Sequence, residues 1–126
     1  MSKLICKAVI AIMSICAMAS APAHGAEPVV VVVKVFPTAG REDELQAQYV
    51  KRIEYLRAAE PNATFRLHWS TKLPVTFLWY EIYPSQEGYD NHLKVVMPAL
   101  RKEFGPTPEG VVVKPSESET YVELAK

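Results

Sequence analysis

Cysteine is nearly missing from this sequence: among 126 residues only Cys6 and Cys16 are cysteines, both in an opening stretch laid out like a secretory signal. Lys3 and Lys7 make the start positive, Ala8 to Ala19 is an uncharged apolar run of 12 residues, and Ser20-Ala21-Pro22-Ala23 is a small-residue cleavage pattern. His24-Gly25-Ala26 offers a second cut, so residues 1–26 are expected to leave after Ala23 or Ala26. The apolar run falls short of the roughly 18–20 residues that span a bilayer, which argues against an uncleaved anchor. Ile15, where a small residue would precede a lipid-bearing Cys16, argues against a lipid anchor. The mature chain is then expected to be exported, either periplasmic or secreted. Without disulfides it must be held by its core or by a partner.

Charge of one sign is also lacking. Loss of Lys3 and Lys7 would lower the basic residues from 14 to 12 against 14 acidic ones, a net charge of about −2. No basic patch or charge run remains, so nucleic acid and anionic membrane surfaces are poor partners. A Gly-rich phosphate loop, a CxxC pair and a Ser/His/Asp constellation are missing too. Nucleotide-binding, thiol-redox and hydrolase chemistry therefore have no support. His68 and His92, with neither cysteine nor paired carboxylates at ligand spacing, make a poor metal site. Residues 27–126 have the length of one domain, large enough for a real core.

What is present is a clear alternation of elements. Val29 to Phe36 is β-branched almost throughout, between Pro28 and Pro37, and predicts a strand buried on both faces. Residues 41–59 predict a helix, with acids in its first turn where the helix dipole favours them. Its apolar stripe is Leu45, Tyr49, Ile53 and Leu56, joined by Val50, and Pro61 stops it near Ala59. Ala63 to Ser70 alternates, with Phe65, Leu67 and Trp69 on one face, and predicts an edge strand. Val75 to Tyr83 is apolar on both faces and predicts a central one. Ser85 to Phe104 predicts a helix with Tyr89, Leu93, Val96, Leu100 and Phe104 on its stripe, kinked or split by Pro98. Gly110 to Lys114 and Glu119 to Leu124 are short strand candidates.

The order β-α-β-β-α-β is that of an α+β, ferredoxin-like domain with an antiparallel sheet, strands one and three central and strands two and four at the edges. Helices cover one face of such a sheet. Phe77, Trp79 and Tyr83 on one face of strand three and Leu78, Tyr80 and Ile82 on the other demand cover on both. A second copy is the simplest cover, so a sheet-to-sheet homodimer is expected.

Two stretches, RAAEPNATFRLHW and TFLWYEIYPSQEGYDNHLKVVMPAL, carry a pattern of an acid and a turn after the first helix, a strand ending in Glu-x-aromatic, and a His eleven residues after that Glu. These are Glu60-Pro61, Glu81-Ile82-Tyr83 and His92. The pattern resembles the antibiotic-biosynthesis-monooxygenase type of dimeric α/β barrel over roughly Val30 to Pro106, with Asn62 where that family usually has Gly. The resemblance implies a cofactor-independent oxygenase acting with O₂ on a small aromatic, a phenol, quinol or polycycle, with no flavin, haem or metal. The enzyme would supply a base, an apolar pocket and a donor for developing oxyanion charge.

His92 can serve as that base or as a phenol-binding donor, or be a structural histidine bonded to a backbone carbonyl or to Glu81. Glu81, a carboxylate in an otherwise apolar strand, needs a partner. It can tune His92, act as a base, or pair structurally with Arg57 or Arg66. Trp69, Trp79, Tyr80, Tyr83 and Tyr89 are candidates to stack an aromatic substrate, against plain core or interface roles. An exported dimer that binds a small hydrophobic molecule without turnover is the alternative. The haem-degrading branch of the superfamily is a minor one, since the Asn, Trp and His of that branch have no counterparts here.

Overall fold

Valine repetition sets the first strand, and the remaining elements follow from where each apolar stripe finds cover. The structure, a computed structural model, describes residues 27–123; the expected signal segment and Leu124 lie outside the described residues. The elements are β1 (Val29–Val35), α1 (Glu42–Ala59), β2 (Thr64–Trp69), β3 (Phe77–Tyr83), α2 (Gln86–Asn91), a π-helical turn (His92–Val96), α3 (Met97–Phe104) and β4 (Glu117–Val122). The sheet order is β2-β3-β1-β4, with antiparallel neighbours throughout. The long apolar strands are central and the alternating one lies at an edge, as the residue pattern predicts. This is the ferredoxin-like arrangement, and the sheet does not close on itself within one chain.

The two faces of the sheet differ. Val29, Val31 and Val35 point with Phe65, Phe77, Trp79 and Tyr83 toward the helices and are buried. Leu45, Tyr49, Ile53 and Leu56 of α1 meet them, as do Val96 and Leu100 of the second helical run. Tyr49 stands edge-on to Phe77 and Trp79, with ring centroids 5.9 and 5.1 Å apart. On the opposite face Val30, Val32, Leu78, Tyr80 and Ile82 are only half-buried in the single chain, and Lys34 is exposed. The expectation that β1 is buried on both faces is therefore met on the helix side alone. Val50 also departs from its expected place, being 41% exposed, because its position one residue after Tyr49 turns it off the stripe.

Ser85 caps α2 by accepting a hydrogen bond from the Gly88 N–H at 3.1 Å. Pro98 has no N–H and its ring crowds the carbonyl four residues back. The helical run answers with a wide turn in which the Met97 N–H reaches the His92 carbonyl. Val96 and Leu100 are buried as the stripe predicts and His92 joins them, while Leu93, inside the wide turn, is 49% exposed and borders a cavity instead of packing in the core. Of the two late strand candidates, Glu117–Val122 forms β4, while Val112 makes one bridge to Pro37.

Leu45, with no exposed surface, sits at the centre of the contact between α1 and the sheet. Leu45→Ala is expected to lower unfolding free energy by about 2–5 kcal/mol, read from urea denaturation, with the slope of the transition unchanged.

Candidate functional site

Pro61 ends α1 one residue after Glu60, whose backbone leaves helical geometry (φ −132°, ψ 69°) while its N–H still bonds the Leu56 carbonyl. The Glu60 side chain thereby reaches the start of the wide turn, where Oε2 lies 2.7 Å from His92 Nδ1. Both side chains are more than nine-tenths buried. A carboxylate at Nδ1 holds the proton on that nitrogen and leaves Nε2 as an acceptor. Among the described residues, no protein group bonds Nε2.

Glu81 on β3 joins this pair from the sheet side. Its Oε2 accepts a hydrogen bond of 2.7 Å from the Tyr83 hydroxyl, and both residues are buried. Burial pushes the Glu81 carboxyl above its usual range; the Tyr83 hydroxyl and nearby His92 pull it back, and nearby Glu60 pushes it further up. Burial first, and then the Glu81 charge, raise the Tyr83 hydroxyl. The His92 ring lies tilted between Phe65 and Tyr83, at 5.9 and 5.0 Å between centroids. Tyr89 lies 5.2 Å from Tyr83.

A cavity of about 530 Å³ opens between the helix face of the sheet and the two helical runs, and His92, Glu81, Trp79 and Tyr89 line it. Its apolar walls are chiefly Val31, Val33, Leu56, Met97 and Leu100. Four of the seven residues expected at the site from sequence thus share one pocket, and Tyr80, which alternates to the other face of β3, is not among them. Tyr83 stands behind the pocket, touching His92 and Glu81 rather than the open space. Trp69 is not brought together with them. It is 54% exposed and lines a separate cavity of about 490 Å³ with His68, on the far flank of α1. The cause is α1 itself, which lies over the sheet with Tyr49, Arg52 and Leu56 toward one cavity and Val50, Ile53 and Arg57 toward the other.

The expected structural partners are corrected as well. His92 pairs with Glu60 and not with Glu81 or a backbone carbonyl. Glu81 bonds Tyr83 and neither arginine, while Arg57 donates to the Phe65 carbonyl at 2.8 Å. Glu60 was legible only as the acid before Pro61. Arg52 and Arg101, which also line the cavity, carried no sequence signal beyond ordinary helix positions. Among the described residues no cluster of three or more His, Cys, Asp or Glu is placed to hold a metal ion.

Residues 28–95 match the family model described as antibiotic biosynthesis monooxygenase. No curated protein matches the sequence. Solved structures are similar in fold at low identity. PA3566 of Pseudomonas aeruginosa is 16% identical with a TM-score of 0.67, over 81% of this chain and 99% of that one. A Caulobacter crescentus protein carrying the same family name is 16% identical with a TM-score of 0.65, over 79% and 92%. Rv0793 of Mycobacterium tuberculosis is 20% identical with a TM-score of 0.61, over 79% and 97%.

The raised Glu81 carboxyl has a consequence for stability. Its folded-state pKa lies above the ordinary 4.5, so its contribution is complete below that value and is lost as pH climbs through the folded-state pKa. E81Q cannot ionise and escapes that loss. Urea denaturation across this window is expected to show the variant gaining on the wild type as pH rises; a difference that stays flat contradicts the assignment.

Proposed function

The chain belongs to the antibiotic biosynthesis monooxygenase family, and we propose that it is a cofactor-independent monooxygenase that oxidises a small aromatic or quinol-type substrate with O₂. The observation that carries this reading is the buried Glu60–His92 pair opening, beside Glu81, onto an aromatic and apolar pocket. His92 Nε2 takes a proton from the substrate, and Glu60 stabilises the imidazolium that results. The apolar walls exclude water from the electron-rich anion. That anion reduces O₂ directly: one oxygen atom enters the substrate, the other leaves as water, and the substrate supplies all the electrons. Glu81, held toward its protonated form by burial, acts as proton donor to the reduced oxygen.

The working unit is proposed to be a homodimer. Val30, Val32, Leu78, Tyr80 and Ile82 form an apolar sheet face that no helix covers among the described residues, and a second copy would cover it and complete the dimeric α/β barrel. Export is proposed on the charge, apolar length and small-residue pattern of residues 1–26, with periplasm or external medium as destination. Among the described residues no helix is long and apolar enough to cross a membrane.

Oxygen uptake with a panel of quinols and polyphenols, without added cofactor, is expected to exceed the autoxidation background. His92→Ala is expected to reduce it by about a hundredfold or more. A folded wild-type protein with no uptake would point instead to a ligand-binding role for the pocket. For assembly, light scattering is expected to give twice the chain mass, and Tyr80→Glu is expected to return it to one.

A further inference from the structure

The cavity has two chemically different ends. Glu81 and His92 occupy one. Val31, opposite Glu81, and Val35 mark its extent along β1, a span of about 13 Å. At the Val35 end the register brings in Ser118 beside Val33, with Ser116 just before the strand, and both line the cavity. Two arginines line the same cavity from different helices. Arg52 precedes Glu60 by about 12 Å along α1, and Arg101 follows His92 by roughly 14 Å along the second helical run. Glu60 meets His92 at one end and Arg52 Nη2 donates to the Gly105 carbonyl at 3.2 Å, just past the end of α3, so the two helices run in opposite directions and both arginines stand on turns away from the Glu60–His92 pair.

Among the described residues neither arginine has an acid to neutralise it. Among the described residues Arg52 and Arg101 form no ion pair, and Glu81 is the only acid lining the cavity. The Arg52 Nε is buried without a hydrogen-bond acceptor among the described residues. A buried cationic donor left unpaired is costly, and a ligand oxyanion is the missing acceptor. The guanidinium is anchored through Gly105 yet under-bonded, while exposed Arg101 and the hydroxyls of Thr107, Ser116 and Ser118 supply further donors.

We infer that Arg52 and Arg101 bind an anionic, planar substituent of the substrate, a carboxylate on the aromatic system at the end away from the reacting ring. Carboxylate geometry suits the planar guanidinium fork, which can present two parallel donors. The charge then fixes polarity: the carboxylate lies at the arginine end and the oxidisable ring at His92 and Glu81. The inference rests on the oxygenase reading for the word substrate, but the binding it describes needs no turnover.

The test is therefore binding without O₂. Anthracene-2-carboxylate and its neutral carboxamide, titrated anaerobically and followed by their own fluorescence, should bind with about tenfold or more preference for the carboxylate, the yield of one charge-assisted hydrogen bond. The preference should shrink in R101Q, which leaves the Gly105 anchor intact, and vanish in R52Q/R101Q while carboxamide binding persists. Carboxamide binding also reports that the variants are folded. Equal affinities in the wild type, a preference that survives the double variant, or no binding of either probe would overturn the inference. Carboxylate preference in a protein that takes up no oxygen would uphold it and remove the oxygenase reading alone.

Discussion

A carboxylate and an imidazole buried against each other, Glu60 on His92 at 2.7 Å, constrain the rest of this site. Breaking such a pair by removing one partner leaves a buried polar group without its complement, so the elements that bring the two together must be held firmly. Three separate features do that. Pro61 ends α1 so that Glu60 leaves the helix at the right level. The wide turn before Pro98 keeps His92 inward. Phe65 and Tyr83 close around the imidazole. The tight packing of α1 on β1 and β3 through Leu45, Tyr49 and Ile53 then serves the site as well as stability, because it sets the height of Glu60 above the sheet.

The sheet divides labour between its faces. Alternation along β3 sends Phe77, Trp79, Glu81 and Tyr83 to the helices and Leu78, Tyr80 and Ile82 away from them. One strand therefore contributes an acid, a cavity wall and a core aromatic on one side, and an apolar surface suited to a second copy on the other. The cavity lies in the helix-side layer, within one chain. Its acid and cationic ends are separated by lengths that the helices and β1 set independently, which gives the pocket a polarity that apolar walls alone would lack.

Much of the fold was legible in the residues. The Val29 to Phe36 run and the Val75 to Tyr83 run are too apolar for an edge, and the alternating Ala63 to Ser70 stretch is suited to one. The site was legible in part. Glu81 and His92 stood out as polar residues in apolar patterns, and Trp79 and Tyr89 followed from the stripes they share. Trp69 shared the alternation of Phe65 and Leu67 yet lies outside the site, because alternation records a face and not which flank of α1 a residue occupies. Leu93 lies inside the wide turn, where the added residue separates it from the buried face of His92, Val96 and Leu100 and leaves it half-exposed at the cavity, a local departure that helical periodicity does not record.

The sequence by itself determined element order, helix ends and the division of central from edge strands, since these depend on local periodicity and on proline stereochemistry within a few residues. The tertiary structure alone decided which polar groups meet. Glu60 and His92 are 32 residues apart, and Arg52 and Arg101 lie on helices whose relative direction appears only when both pack on one sheet. Pairings of this kind depend on distances of a few ångströms between elements, and no pattern along one element records them.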